Sequence, residues 1–417
     1  MPPLMRIPYT DPLPLPRILP PSAGTASGAI AALATFLSAP PSPQLRPHLS
    51  PATPAARDER AAVLLTGAGI SVASGLADYR GANGTYTLNK TYRPIYYGEF
   101  AAQHRMRRRY WARSFLGWMT LARARPNASH RAVGALGLDD GGVGVVRSVI
   151  TQNVDSFHPM AHPALPTLEL HGYLRACVCL SCRNEFDRAE FQRRLARLNP
   201  AWDAFLSEML ESGALSTENP DERRRMGLKT NPDGDVDVPG VDYQTFRYPA
   251  CPVCLEKGGH EAHGKVEVDA DGALVEGSKA GVLKPAVIMF GESIPHAVKS
   301  RAEEAIDGAS RLLVVGSSLA TYSAWRLVKR AKEQGMPIGI LNMGGVRGEE
   351  AFFEDVPQDN SADSKVRFLN KRIEELATEK WNMEQQMEWL KEKNRRLRSM
   401  LDARIRTELS YEPGDDY

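Results

Sequence analysis

Cysteine is scarce in this chain, with five in 417 residues. That is too few for a disulfide scaffold, and four of the five fall in two short pairs, which points to metal instead. Long apolar runs are missing as well. The hydrophobic stretches are short and broken by glycine or charge, so no segment reads as a transmembrane helix. Nor is there an excess of one charge: 52 basic against 50 acidic side chains leave +2, too near balance to imply a nucleic-acid or membrane surface by itself. Two further absences are local. No acidic residue occurs between Asp11 and Asp58, and no proline between Pro357 and Pro413, although fourteen of the thirty prolines lie in the first sixty residues. The remainder is ordinary for a globular protein, 42% hydrophobic and 24% charged. At about 150 residues per domain the length predicts two to three folding units.

These uneven distributions divide the chain into three. Residues 1–56 read as a proline-rich, mostly disordered leader. One short helix is expected within it over Ala26–Leu37, where apolar residues recur at helical spacing and Ser or Thr can cap. Low acidity with Arg6, Arg17, Arg46 and Arg57 is compatible with a mitochondrial transit peptide, whereas the prolines oppose the amphipathic helix such a peptide needs. Residues 57–360 alternate short apolar runs with helical stretches. Ala62–Leu65, Val145–Ile150, Ala286–Phe290, Leu312–Val315 and Ile338–Leu341 read as buried strands. That alternation predicts an α/β domain with a parallel sheet and ligands at its carboxyl edge. The third part, from about Ser364, is a different kind of sequence.

The chemistry starts after the first of these strands. Thr66-Gly67-Ala68-Gly69-Ile70-Ser71 is a small-residue turn that can bring backbone N–H groups close to a pyrophosphate. It is not a full GxGxxG fingerprint, and a tight turn serving only the chain reversal explains it equally well. Ser74-Gly75-Leu76-Ala77-Asp78-Tyr79-Arg80-Gly81 follows, a combination of carboxylate, ring and guanidinium that a solvated loop does not readily explain. Thr151-Gln152-Asn153-Val154-Asp155 comes directly after Val145–Ile150, where open α/β sheets bind ligands. An amide there can pair with a ligand carboxamide and a carboxylate with ribose hydroxyls, or Asn or Asp can cap the next helix. Glu169-Leu170-His171-Gly172 then brings a histidine, a residue that on its own is more often structural than catalytic. Cys179-Leu180-Ser181-Cys182 and Cys251-Pro252-Val253-Cys254 form two C-x2-C knuckles, the pattern of a closed, structural zinc site. Cys177 is left over.

Taken in order, GAGIS and GLADYRG, TQNVD, LHG, the two knuckles, KPAVIMFGE (Lys284–Glu292), VVGSSL (Val314–Leu319) and ILNMGG resemble the sirtuins over about residues 24–360. Tyr110-Trp111-Ala112-Arg113 with Phe115-Leu116-Gly117-Trp118 is similar to the class II, mitochondrial branch in particular. The resemblance implies a Rossmann-type domain with a small zinc module inserted at about residues 172–284, binding NAD and an acylated lysine of a protein substrate between them. It implies that Gly67, Ala68, Gly69 and Ser71 cradle the NAD phosphates and that Asp78, Tyr79 and Arg80 sit on a loop closing over the cofactor. Gln152, Asn153 and Asp155 would hold the nicotinamide and its ribose, Asn153 and Asp155 taking part in the chemistry. His171 would be the general base, an imidazole titrating near working pH. Gly316, Ser317 and Ser318 match further phosphate and ribose contacts, and Asn342 with Gly344 the adenosine end. Val287, Phe290 and Gly291 match a strand and turn that pair with substrate backbone. One structural zinc on Cys179, Cys182, Cys251 and Cys254 completes the set. The implied reaction is NAD-dependent removal of acyl groups from protein lysines, in the mitochondrial matrix. Mono-ADP-ribosyl transfer at the same site is the enzymatic alternative.

After Glu349 the sequence departs from that family. Val366, Ile373, Lys380, Met387, Asn394 and Leu401 recur as heptad a positions, with Leu369, Leu376, Met383, Leu390 and Leu397 at d. Residues 364–405 therefore read as a leucine-zipper-like coiled coil offering a partner surface through 366–401, followed by a disordered tail over 406–417. Glu349–Asp363 holds six acidic residues and no Lys or Arg where the basic region of a zipper transcription factor would lie, so DNA binding is not expected. Like-charged pairs such as Glu379 with Glu384 favour a heterologous or antiparallel partner over a parallel homodimer. A protein that acts through this zipper, with an impaired catalytic domain, is the non-enzymatic alternative.

Overall fold

The computed structural model describes residues 13–42, 45, 61–81, 84–88, 92–137, 144–212, 229–230, 236–238 and 241–349. The acidic run beyond Glu349, the heptads and the tail lie outside the described residues. Strands are numbered along the chain. The central sheet consists of β1 (Ala62–Thr66), β2 (Val146–Thr151), β3 (Thr167–Glu169), β11 (Arg311–Val315) and β12 (Ile338–Leu341), all parallel, in the order β12-β11-β1-β2-β3.

Every residue of β1 is buried, as a strand covered on both faces requires. The pleat explains how. Val63 and Leu65 join Leu312 and Val314 against helices His296–Asp307 and Tyr322–Glu333. Ala62 and Leu64 join Leu313, Val146 and Val149 on the other face, against Val133 of helix Ala128–Gly137. The strand order reverses between β1 and β11, which makes the carboxyl ends of those two strands the topological switch point, the preferred ligand crevice of this architecture.

A smaller module stands beside this sheet. Its antiparallel sheet has the order β10-β4-β5, with β4 (Gly172–Cys179), β5 (Glu185–Asp187) and β10 (Leu283–Val287). Two short hairpins complete the strands of the described residues: β6 (Lys229–Thr230) with β7 (Val236–Asp237), and β8 (Gly259–His260) with β9 (Gly264–Lys265). Asp187 caps helix Arg188–Leu198 by accepting the Glu190 N–H at 2.7 Å. That helix buries Arg188, Phe191, Gln192 and Leu195 at helical spacing.

Three expectations change here. The run Ala286–Phe290, read as a strand of the parallel sheet, instead lies at and beyond the end of β10. Pairing begins at Leu283 opposite Cys179, because β10 belongs with β4 in the small module. That module also exceeds the expected 172–284 insert. Its core takes in Phe100, Tyr110, Trp111, Phe115 and Leu116, from helices Tyr97–Ala102 and His104–Arg123. Trp111 and Phe191 approach to 4.5 Å between centroids, so the insert has no complete core without the earlier helices.

The third change concerns the leader, expected to be mostly disordered. Over residues 13–42 it is packed. The helix falls at Ala26–Ser38, with Thr25 accepting from the Gly28 N–H. Leu33, Phe36 and Leu37 cover the sheet face that carries Ala62 and Leu64. The Arg311 guanidinium donates to the carbonyls of Phe36, Leu37 and Ala39 at 2.6, 2.8 and 2.6 Å. Those are the carbonyls that a helix end leaves without intrahelical partners.

Candidate functional site

A cavity of about 1760 Å³ opens at the switch point. Gly67 and Gly69 follow β1 and Gly316 follows β11, and the two loops touch. A Cβ on Gly69 would lie 2.9 Å from the Gly316 Cα, so this approach excludes side chains. The Gly67 and Gly69 N–H groups donate to the carbonyls of Val315 and Gly316. They therefore fasten the loops to each other. Ala68 and Ser71 complete the first loop, which runs as a 3-10 helix over Ala68–Ser74.

The loop after β2 is tied into both. The Gln152 amide nitrogen donates to Ser317 Oγ at 2.7 Å and to the Thr66 carbonyl at 3.2 Å, while Thr321 Oγ1 donates to its oxygen at 2.9 Å. Asn153 Nδ2 donates to the Gly67 carbonyl and to Ser71 Oγ, both at 3.1 Å. Ser71 Oγ in turn donates to Asp155 at 2.6 Å. The other Asp155 oxygen accepts the Phe157 N–H at 3.0 Å, while the N-cap of the helix Phe157–Ala161 is Ser156, which makes no side-chain cap. Burial raises the Asp155 carboxyl above the usual carboxylate range, against the pull of these two donors.

His171 closes β3's turn into β4 and also lines the cavity. Its Nδ1 is 3.0 Å from the Gln152 carbonyl and its Nε2 2.7 Å from Ser323 Oγ. A carbonyl can only accept, so the proton sits on Nδ1 and the Nε2 lone pair accepts from the serine. Burial holds the ring down at about 4, the carbonyl opposing it. His171 is thus neutral at physiological pH.

Asp78, Tyr79 and Arg80 form another wall. Tyr79 stacks on Tyr86 at 5.8 Å and the Arg80 guanidinium lies over the same ring at 4.9 Å. Burial raises the Asp78 carboxyl, partly offset by the Gly81 N–H. Val287, Phe290 and Gly291 line the side facing the small module, where β10 is an edge strand. The Phe290 carbonyl already accepts the Tyr97 N–H at 2.9 Å, and Lys284 Nζ donates to the Val287 carbonyl at 2.6 Å. Ser318, Asn342 and Gly344 line the opposite end, Asn342 donating to the Gly344 carbonyl at 2.8 Å.

All the cofactor, catalytic and substrate residues expected from the sequence therefore meet at one cavity. Several lining residues were not expected: Ser323, Thr321, Arg347 and the leader residues Leu13–Pro16. Tyr110 and Arg113, noted in the sequence only as a mark of one family branch, line it too, with Arg113 2% exposed. The only sequence signal for Ser323 was its position at the start of a helix after the Gly316–Leu319 turn.

Away from this cavity, the sulfurs of Cys179, Cys182, Cys251 and Cys254 all lie within 4.8 Å of one another. Cys179 to Cys254 measures 3.7 Å and Cys182 to Cys251 3.6 Å. A tetrahedral zinc with bonds of about 2.3 Å has sulfur–sulfur edges of about 3.8 Å, so the four fit such an ion. Their titration agrees. S–H donation from Cys251 lowers the Cys179 thiol below its ordinary value, whereas burial raises that of Cys254. One thiolate is stabilised at the others' expense, and four together need a divalent cation. Cys177, buried in β4, stays a thiol, pushed up by burial to about 12.

A doubly wound α/β domain with its ligand crevice at the switch point, joined to a four-thiol module, defines a class of dinucleotide-fold protein carrying a structural metal site. The comparisons specify the family. The Sir2 family model matches residues 67–323. The chain is 42% identical over 295 residues to the NAD-dependent protein deacylase SIR4 of Batrachochytrium dendrobatidis, covering 69% of this chain and 82% of that protein. It is 38% identical over 315 residues to NAD-dependent protein deacetylase 1 of Streptomyces coelicolor, covering 75% and 87%. With the NAD-dependent protein deacylase SRT2 of Arabidopsis thaliana it shares 36% over 288 residues, covering 69% and 67%. The chain belongs to the Sir2 family.

Proposed function

We infer that this protein is an NAD-dependent protein-lysine deacylase, with NAD in the switch-point crevice and the acyl-lysine entering along Val287–Gly291. The observation that carries the reading is convergence. Residues from seven separate stretches, each expected from the sequence to bind cofactor or substrate or to act on them, line one cavity. At about 1760 Å³ it exceeds the ~300–1000 Å³ of a single small-ligand pocket, as room for a dinucleotide and a peptide segment requires. The relatives' names support the same cofactor and reaction.

Bound there, NAD would supply an electrophilic ribose carbon for the acyl oxygen, with nicotinamide as the leaving group; with one water taken up, the products would be free lysine, nicotinamide and O-acyl-ADP-ribose. The chain's own residues hold and move protons around that centre. Neutral His171 presents its Nε2 lone pair to the cavity, where Ser323 O–H stands in for a ribose hydroxyl. When that hydroxyl replaces the serine as donor, His171 is positioned to take its proton, and the Gln152 carbonyl keeps Nδ1 protonated throughout. Asn153 and Asp155, fixed through Ser71, hold the nicotinamide and ribose end. Gly67–Ser71 and Gly316–Ser318 flank the phosphates, Asp78–Arg80 cover them, and Asn342 with Gly344 serves the adenosine. Zinc on the four cysteines leaves no open coordination position, so its part is to hold the small module together.

Within the family, Tyr110-Trp111-Ala112-Arg113 supports the class II branch and, with it, the mitochondrial matrix. The test is to supply NAD with peptides carrying acetyl-, longer acyl- and carboxyacyl-lysine and to identify products by mass spectrometry. O-acyl-ADP-ribose supports the reading. ADP-ribosylated protein replaces it with transfer chemistry, and neither product leaves a binding protein.

A further inference from the structure

The leader reaches the cavity. Leu13, Pro14, Leu15 and Pro16 line it beside Asn342–Gly345 and Arg347, the turn that follows β12. Three anchors hold the segment in place. The Arg17 N–H donates to Glu349 Oε1 at 2.5 Å, and Glu349 is 4% exposed. The Pro14 carbonyl lies directly over Gly345, where a Cβ would stand 1.7 Å from it. Farther along, Arg311 grips the carboxyl end of helix Ala26–Ser38. Arg311 begins β11, at the amino edge of the sheet. A helix of thirteen residues is about 20 Å long, against about 17 Å for a five-residue strand. A helix held at the amino edge thus has the length to return the chain to the carboxyl edge, where residues 13–17 are found.

We propose that Leu13–Pro16 form a preformed apolar wall for the adenine nucleoside end of the dinucleotide. The proposal rests on the NAD reading above. There, the reacting ribose lies by His171, and the far end of the molecule reaches Asn342–Gly345. Two prolines fix φ at alternate positions, so little chain entropy is lost when the ligand arrives. The four side chains carry no charge, which suits a purine face and not a phosphate. Leu15 is 76% exposed, a large apolar surface that a bound base would cover.

The test compares the full chain with two variants: deletion of residues 1–16, and Glu349→Ala, which leaves the segment intact but removes the carboxylate that accepts the Arg17 N–H. ADP-ribose affinity is measured by calorimetry, and KM for NAD, KM for acyl-peptide, kcat and inhibition by nicotinamide by kinetics. The expected result is a loss of about tenfold in ADP-ribose affinity, equivalent to about 1.4 kcal/mol, with a matching rise in KM for NAD. Peptide KM, kcat at saturating NAD and nicotinamide inhibition stay within about twofold. Unchanged or tighter ADP-ribose binding in either folded variant would overturn the wall. If the full chain binds neither NAD nor ADP-ribose, the site reading fails first and takes the wall with it. The two failures are therefore separable.

Discussion

The two modules reach order by different physical means. In the parallel-sheet domain, strands buried on both faces end at the switch point, and short polar bonds between loops fix the site. Gln152, Asn153 and Ser71 alone join three loops. In the small module, the sheet has three strands, and an aromatic core around Trp111, Phe191 and Phe246 is supplemented by four thiols. One module is built to position chemistry and the other to hold together. The lesson is that comparable changes in the two should damage different quantities.

The sharpest contrast should come from His171→Ala. Turnover is expected to fall at least ~100-fold, while ADP-ribose affinity and melting temperature stay close to wild type. Near-normal turnover would remove the base from the sheet domain's role. Cys251→Ser should do the reverse. Zinc content falls, and the melting temperature drops by roughly 2–4 °C for each kcal/mol lost, with the small module loosening first in hydrogen exchange. An unchanged metal content and melting temperature would mean that the thiols do not form a metal site.

Acid should act on the sheet domain through its buried rings. His158 is linked to Thr66 and to His162, each at 2.9 Å, and His130 packs against it. Burial lowers His158 to about 3 and both His130 and His171 to about 4. Because their unfolded value is 6.5, the unfolded chain binds more protons between pH 6.5 and about 4. Stability is therefore full above 6.5 and is lost as pH falls through that window. Thermal melts from pH 8 to 4 would check this, and a melting temperature flat down to pH 4 would contradict it. The smallest effect is expected from Ser323→Ala. Because a ribose hydroxyl takes the serine's place on Nε2, losing the serine should leave kcat/KM within about twofold. It should also move the acid limb of its pH profile upward, since the serine favours the unprotonated ring.

What was legible in the sequence is instructive by residue. Gly67, Gln152, His171 and Ser317 were legible because strand ends, small turns and polar clusters are local patterns. The cysteine pairs were legible through spacing. The Ser323 contact was not, because it joins residues 152 positions apart and a helix-start serine looks the same with or without a histidine beside it. The leader's docking escaped for a similar reason. Its own main-chain carbonyls are held by one distant arginine, Arg311, which composition cannot reveal. The run Ala286–Phe290 misled because apolar character marks burial but not which sheet supplies the pairing. Similarly, nothing within 172–284 announces that its core is completed by Phe100 and Trp111.

Gln152 makes the sheet domain less like a platform with separate fittings and more like a lever. Its main-chain carbonyl steers the His171 ring, and its side chain is clasped by Ser317 and Thr321 across the crevice. A ligand that nudges the loop after β11 pulls, through one residue, on the orientation of the imidazole. Occupancy of the phosphate end can thus be felt at the reacting end without any strand changing place.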